Sequence, residues 1–145
     1  MRPYRHLPAA LLALSLLPVA GTAAAQSCAL HVEDGWARLP PVDLPVLGGF
    51  GRLVNPCPAD ASVIAASSPD FEEVQVHETR LEGGMMRMRQ VEALAVQAAG
   101  SAVLEPGGLH LMLMRPVRPV AAGDQVEVTF TLADGTTVTG VFEVR

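Results

Sequence analysis

The two most regularly alternating runs of the chain, Gln125 to Leu132 and Thr137 to Val144, flank an Ala133-Asp134-Gly135 turn. No other feature restricts the fold as much. In the first run Val126, Val128, Phe130 and Leu132 take one face, and Glu127, Thr129 and Thr131 take the other. In the second, Val138, Gly140, Phe142 and Val144 oppose Thr137, Thr139, Val141 and Glu143. A period of two belongs to a strand with one face in a core and one in water. Similar short runs precede the pair: Leu30 to Glu33, Trp36 to Leu39, Leu47 to Leu53, Ala61 to Ala66, Val74 to Leu81, Met85 to Val91, Ser101 to Leu104 and His110 to Met114. Nowhere is there a long stretch of helical periodicity. Regularly spaced strands separated by turn residues predict an all-β chain, an antiparallel sandwich or barrel.

Residues 1–25 read as a secretory signal peptide: Arg2 and Arg5, an apolar run from Leu7 to Ala20, then Gly21-Thr-Ala-Ala-Ala25. The apolar run is shorter than the roughly 20 residues that span a bilayer, and no other such run follows. A lipid on Cys28 is the competing reading, but Ala25-Gln26-Ser27 lacks the large apolar residue usual three places before a lipidated cysteine. Residues 26–145 then form one domain, long enough to bury a core. Without the leader, eight arginines face fifteen acidic residues, a net charge of −7. That balance argues against nucleic acid and anionic membranes as partners. Cys28 and Cys57, sent to an oxidising compartment, pair by default. Such a link closes a loop of about thirty residues and stabilises the fold by roughly 3–4 kcal/mol on the chain-entropy model. Two free thiols, or an accessory metal ligand, are the alternatives.

Residues 77–114 hold every methionine except Met1, and His77 and His110. If Gly83-Gly84 is a two-residue hairpin turn, Glu82 pairs with Met85 and Thr79 with Met88. His77 and Met88 then share a face as diagonal neighbours, at roughly 7–8 Å, and Met86 joins them. On a later strand His110, Met112 and Met114 alternate with Leu111 and Leu113, so all three share a face. Two imidazoles and several thioethers form a neutral, soft donor set that suits Cu(I). Zinc more often recruits thiolate or carboxylate, and an octahedral oxygen cage has no obvious set of donors here. Taken singly, each methionine also reads as core filling and each histidine as a sheet residue.

The spacing resembles that of the periplasmic copper chaperones known as PCuAC: His77, ten residues, Met88, twenty-one residues, then His110-Leu111-Met112. Gly35-Trp36-Ala37-Arg38, Asn55, Ser67-Ser68-Pro69, Val76-His77-Glu78-Thr79 and Pro106 to Met114 are similar to that family's signposts. The resemblance covers nearly all of residues 26–145. It implies a cupredoxin-like antiparallel β-sandwich with Greek-key topology. It also implies Cu(I) held by His77, Met88, His110 and Met112. Glu78 and Thr79 stand where some relatives place an extra methionine, and no His- and Met-rich tail follows the last run, so one copper per chain is expected.

The resemblance further implies a periplasmic monomer without a stable membrane anchor. Its partner would be a copper-accepting protein, either an oxidase subunit at the copper centre of a terminal oxidase or a thioredoxin-fold copper protein. Copper storage or resistance is the nearest alternative. A blue-copper electron carrier needs a thiolate beside two imidazoles, and neither cysteine is near this window in sequence. No nucleophile-base spacing, phosphate loop or acid pair suggests an enzyme, and a metal-free binding module is the remaining class. His31, outside the motif, reads as an ordinary surface residue, and Trp36 as core or pocket wall.

Overall fold

In the final hairpin Val126, Val128, Phe130, Phe142 and Val144 are buried, and the register runs from Thr137↔Thr131 to Glu143↔Gln125, so the alternation in sequence becomes one inward face. This hairpin belongs to a computed structural model that describes residues 28–145. The leader read over residues 1–25 lies outside the described residues. Ten strands are present among them: β1 (His31–Arg38), β2 (Val46–Asn55), β3 (Ala61–Ser67), β4 (Phe71–Glu82), β5 (Met85–Gln90), β6 (Leu94–Val96), β7 (Gly100–Leu104), β8 (Leu109–Pro116), β9 (Gln125–Leu132) and β10 (Thr137–Val144). Their hydrogen-bonded order is β5-β4-β8-β2-β1-β10-β9-β3-β6, with β7 on the far half of β2. A β3–β4 contact at Ala66↔Val74 closes seven of these strands into a barrel-like sandwich.

The all-β, cupredoxin-like sandwich expected from the sequence is therefore the fold. Neighbours distant in sequence, with β8 between β4 and β2 and with β1 beside β10, are the Greek-key crossings. One pairing departs from antiparallel: β1 runs parallel to β10, at Trp36↔Glu143 and Ala37↔Val144. Several strand ends differ by one to three residues, and two assignments differ in kind. The runs expected at Leu30–Glu33 and Trp36–Leu39 are a single strand, because Asp34-Gly35 forms a bulge instead of a turn. Asp34 takes a positive φ of 53°, and a Cβ on Gly35 would stand 2.6 Å from the Val141 carbonyl oxygen. There the glycine permits close approach of two backbones. The short β6 had no signal beyond Leu94 and Val96, both buried against the core.

Cys28 and Cys57 are linked, with Cα atoms 5.4 Å apart. Beside them the buried Asn55 gathers a loop: its Nδ2 donates to the carbonyls of Ala59 at 2.9 Å and Val96 at 3.0 Å, while its Oδ1 accepts from the Cys57 amide at 3.1 Å. A buried amide satisfied at both ends fixes the segment that carries the disulfide.

On the sheet made by β5, β4, β8, β2 and β1, Val74 and Val76 of β4, Leu111 and Leu113 of β8, and Leu47 of β2 point into the core. The alternating residues Gln75, His77, His110, Met112, Gly48 and Phe50 therefore lie on the outer face. The window singled out in the sequence is on the outside of the sandwich, at one sheet, and does not lie between layers.

Candidate metal centre

The β4–β5 hairpin has the register expected of a Gly83-Gly84 turn: Glu82↔Met85, Leu81↔Met86, Thr79↔Met88 and His77↔Gln90. Both glycines have positive φ, 60° and 79°, as a type I′ turn requires. β8 lies on the other side of β4, and there His77 is directly opposite His110, with Gln75 opposite Met112 and Glu73 opposite Met114. The pairing of the two histidines across neighbouring strands was not legible in the sequence, since only the topology makes β4 and β8 adjacent. Their ring centroids are 6.0 Å apart and tilted by 44°. An imidazole nitrogen bonds a first-row metal such as zinc at about 2 Å, so this separation leaves room for one ion between the rings.

Met88, His110, Met112 and Thr79 line one cavity of about 260 Å³ with Arg38, Gly48 and Phe50. Pro40, Pro41, Pro106 and Gly107 also line it, so the Pro-rich segment of residues 39–45 supplies part of its wall. His77 is not among the residues that line this cavity; it stands beside it, its ring 6.0 Å from that of His110. Phe50 supports His110 at 6.5 Å between centroids, Trp36 packs behind Phe50 at 4.6 Å, and the Arg38 guanidinium lies 5.2 Å over the Phe50 ring. Trp36 is thus a wall one layer back. Met86 is outside the cavity, exposed among Arg80, Glu82, Arg87 and Arg89, and Met114 is one step further along β8.

The hydrogen bonds define the free nitrogens. His110 is buried and its Nδ1 donates to the Gly108 carbonyl at 2.9 Å, which leaves the Nε2 lone pair available. His77 has its Nε2 2.7 Å from the Gln75 Oε1, and its Nδ1 is buried with no partner. An unpaired buried nitrogen is uncommon and needs an account, and a bound ion is one that its chemistry allows. Desolvation, and to a lesser extent the neighbouring His110, hold the His77 imidazole below its ordinary pKa, in the neutral form that can bind a metal. Among the described residues no three of His, Cys, Asp and Glu converge as a metal-holding group. Both cysteine sulfurs are consumed by the disulfide, which lies in a separate cleft with Asn55, Asp134 and Thr136. A soft ion of low charge is therefore better matched to these donors than a hard one.

The remaining sequence expectations fall on the periphery. Glu78 points away from the site and pairs with Arg80 at 2.7 Å and Arg89 at 3.6 Å, which depress its pKa. His31 is an exposed residue bonded to Glu33 at 3.3 Å. Sequence reasoning missed Gln75, Glu73 and Phe50, although Glu73, Gln75 and His77 recur with the strand period of two.

Residues 30–144 match the protein family described as "Putative lipoprotein LpqE-like". The chain belongs to the LpqE-like family. A relative within curated proteins is "Putative lipoprotein Lxx21020" of Leifsonia xyli subsp. xyli, 31% identical over 133 residues that cover 91% of this chain and 74% of that one. The uncharacterized protein RP573 of Rickettsia prowazekii is 25% identical over 118 residues, 74% of this chain and 62% of its own length. Among solved structures, the Cu(I)-loaded form of DR1885 from Deinococcus radiodurans superposes with a TM-score of 0.67 at 27% identity, covering 88% of this chain and 86% of that one. The copper-bound PCuAC domain from PmoF2 gives 0.64 at 22% identity, over 79% and 90%. This LpqE-like chain thus has the PCuAC fold, as the spacing of its histidines and methionines led us to expect. Membership in a family described as lipoproteins, together with a disulfide, fits an exported protein. No helix among the described residues is long and apolar enough to cross a membrane.

Proposed function

We propose that the protein is a periplasmic copper chaperone that binds one Cu(I) per chain through His77, Met88, His110 and Met112. The observation that carries this reading is the pair of facing imidazoles. The His77 Nδ1 is buried without a partner and the His110 Nε2 is left free by the Gly108 bond, beside two thioethers and no thiolate. The donors sum to zero charge, so Cu(I) is held without the electrostatic grip that would disfavour its release. Met88 is 54% exposed, on the edge hairpin. An incoming donor can reach the ion from that side, as hand-over by ligand exchange requires.

The work is carriage and transfer, with no catalysed reaction. The Cu(I)-loaded DR1885 and the copper-bound PmoF2 domain support the choice of cargo. Delivery would be towards the copper centre of a terminal oxidase, to an oxidase subunit or a thioredoxin-fold copper protein. The leader, residues 1–25, would direct export, and the carrier would be monomeric. Cys28 cannot carry a lipid thioether while its sulfur is bonded to Cys57, which favours a free periplasmic carrier over a lipid-anchored one. Titration of the metal-free protein with Cu(I) and Zn(II) in competition, with copper kept in its reduced state, tests the reading. One equivalent of Cu(I), preferred over zinc, is expected; equal or tighter zinc binding contradicts it.

A further inference from the structure

Glu73, Gln75 and His77 alternate along β4 and so share its outer face, opposite Met114, Met112 and His110 of β8. They are joined end to end. The Arg115 Nη2 donates to the Glu73 carboxylate at 2.8 Å, while its Nε donates to Glu72 at 2.7 Å. The Gln75 Nε2 donates to the other oxygen of Glu73. That bond fixes which end of the Gln75 amide is which, and the Oε1 is turned towards the His77 Nε2 at 2.7 Å.

An amide oxygen only accepts, so the His77 Nε2 must carry the proton. In a neutral imidazole the lone pair is then on Nδ1. This is the nitrogen that is buried without a partner. His110 has the opposite arrangement, since its Nδ1 proton is taken by the Gly108 carbonyl. We infer that Gln75, oriented by Glu73 and Arg115, is a positioning residue that fixes the His77 tautomer, so that one ion is gripped by Nδ1 of His77 and Nε2 of His110.

Partners of the non-ligating nitrogen orient an imidazole and raise its basicity. The amide passes on the polarising effect of the Glu73 carboxylate while keeping that negative charge one residue away from the ion. Arg115 matches the carboxylate and holds it ionised: its hydrogen bond, then that of Gln75, lowers the Glu73 pKa. Arg115 reaches this position from near the end of β8, with a left-handed φ of 53° and its amide donating to the Pro45 carbonyl at 2.7 Å. A left-handed arginine is an uncommon conformation that its surroundings have to impose.

The inference rests on the copper reading of His77 and His110, and its test separates the two. With ¹⁵N-labelled histidine, long-range ¹H–¹⁵N spectra of the metal-free protein report which nitrogen of each ring is protonated, and Cu(I) competition reports affinity. We expect Nε2–H at His77 and Nδ1–H at His110 in the wild type. In Gln75→Leu, His77 becomes a mixture of tautomers and Cu(I) binding weakens about tenfold, while His110 is unchanged. Gln75→Glu, which retains an acceptor, keeps the wild-type tautomer. A protein that binds Cu(I) with the His77 proton on Nδ1, or whose affinity and tautomer survive Gln75→Leu, overturns this inference alone. Absence of Cu(I) binding by the wild type overturns the copper reading, whatever the tautomers.

Discussion

Replacing each of four methionines by leucine separates ligand from lining. Met88 is 54% exposed and Met86 61%, on the same face of the same hairpin, so both exchanges alter little buried surface. Leucine also conserves much of the volume, and each variant should lose less than about 1.5 kcal/mol of fold stability. What differs is the surroundings. Met88 and Met112 line the cavity with His110, whereas Met86 is among arginines outside it and Met114 is beyond Met112, opposite Glu73 and Val46. Removing one of four donors should therefore weaken Cu(I) binding by at least about tenfold, or about 1.4 kcal/mol, for Met88→Leu and for Met112→Leu. Met86→Leu and Met114→Leu should change it far less. Competition against a Cu(I) chelator of known affinity reads the binding, and urea denaturation of the metal-free variants reads the fold. If Met86→Leu is as damaging as Met88→Leu with stability intact, the ligand assignment is wrong.

Three further outcomes follow from the fold. Gly140→Ala should destabilise by about 1–3 kcal/mol, because its Cβ would meet the Val32 side chain, whose own Cβ is 2.7 Å from that position; an unchanged denaturation midpoint would contradict the packing of β1 on β10. Cys28→Ser/Cys57→Ser should lose roughly 3–4 kcal/mol on the chain-entropy model, since the link closes a separation of 29 residues; Cu(I) affinity should persist, and its loss would place the cysteines at the metal. The Glu73 pKa is lowered in the folded state from its usual 4.5, so the stabilising effect of Glu73 is present above that value and disappears as pH falls through the lower folded pKa. Denaturation of wild type and Glu73→Gln across acid pH should show a difference that closes in that window, and a difference unaffected by pH would dispute the Arg115 pairing.

Much of this architecture is local, and therefore legible. The final hairpin and the register of the β4–β5 hairpin follow from a period of two and a turn of Gly83-Gly84, neither of which depends on distant residues. Misread boundaries came from non-local causes. Asp34-Gly35 looks like a turn in isolation, but the Val141 backbone of another strand makes it a bulge. Leu94–Val96 is too short to show a period. At the site, spacing brought out the histidines and methionines, whereas the opposition of His77 to His110 depends on β8 docking beside β4. Gln75 escaped notice because an amide has no metal chemistry of its own. Its role emerges only when the His77 Nε2 is found 2.7 Å from its oxygen.

The most direct test of a mixed histidine and methionine site is the X-ray absorption spectrum of the Cu(I)-loaded wild-type protein at the copper edge. Two sulfur and two imidazole nitrogen scatterers around a single reduced copper are expected, with one sulfur missing in Met88→Leu. A first shell of nitrogen and oxygen alone, or one left unaltered by Met88→Leu, would contradict the assignment.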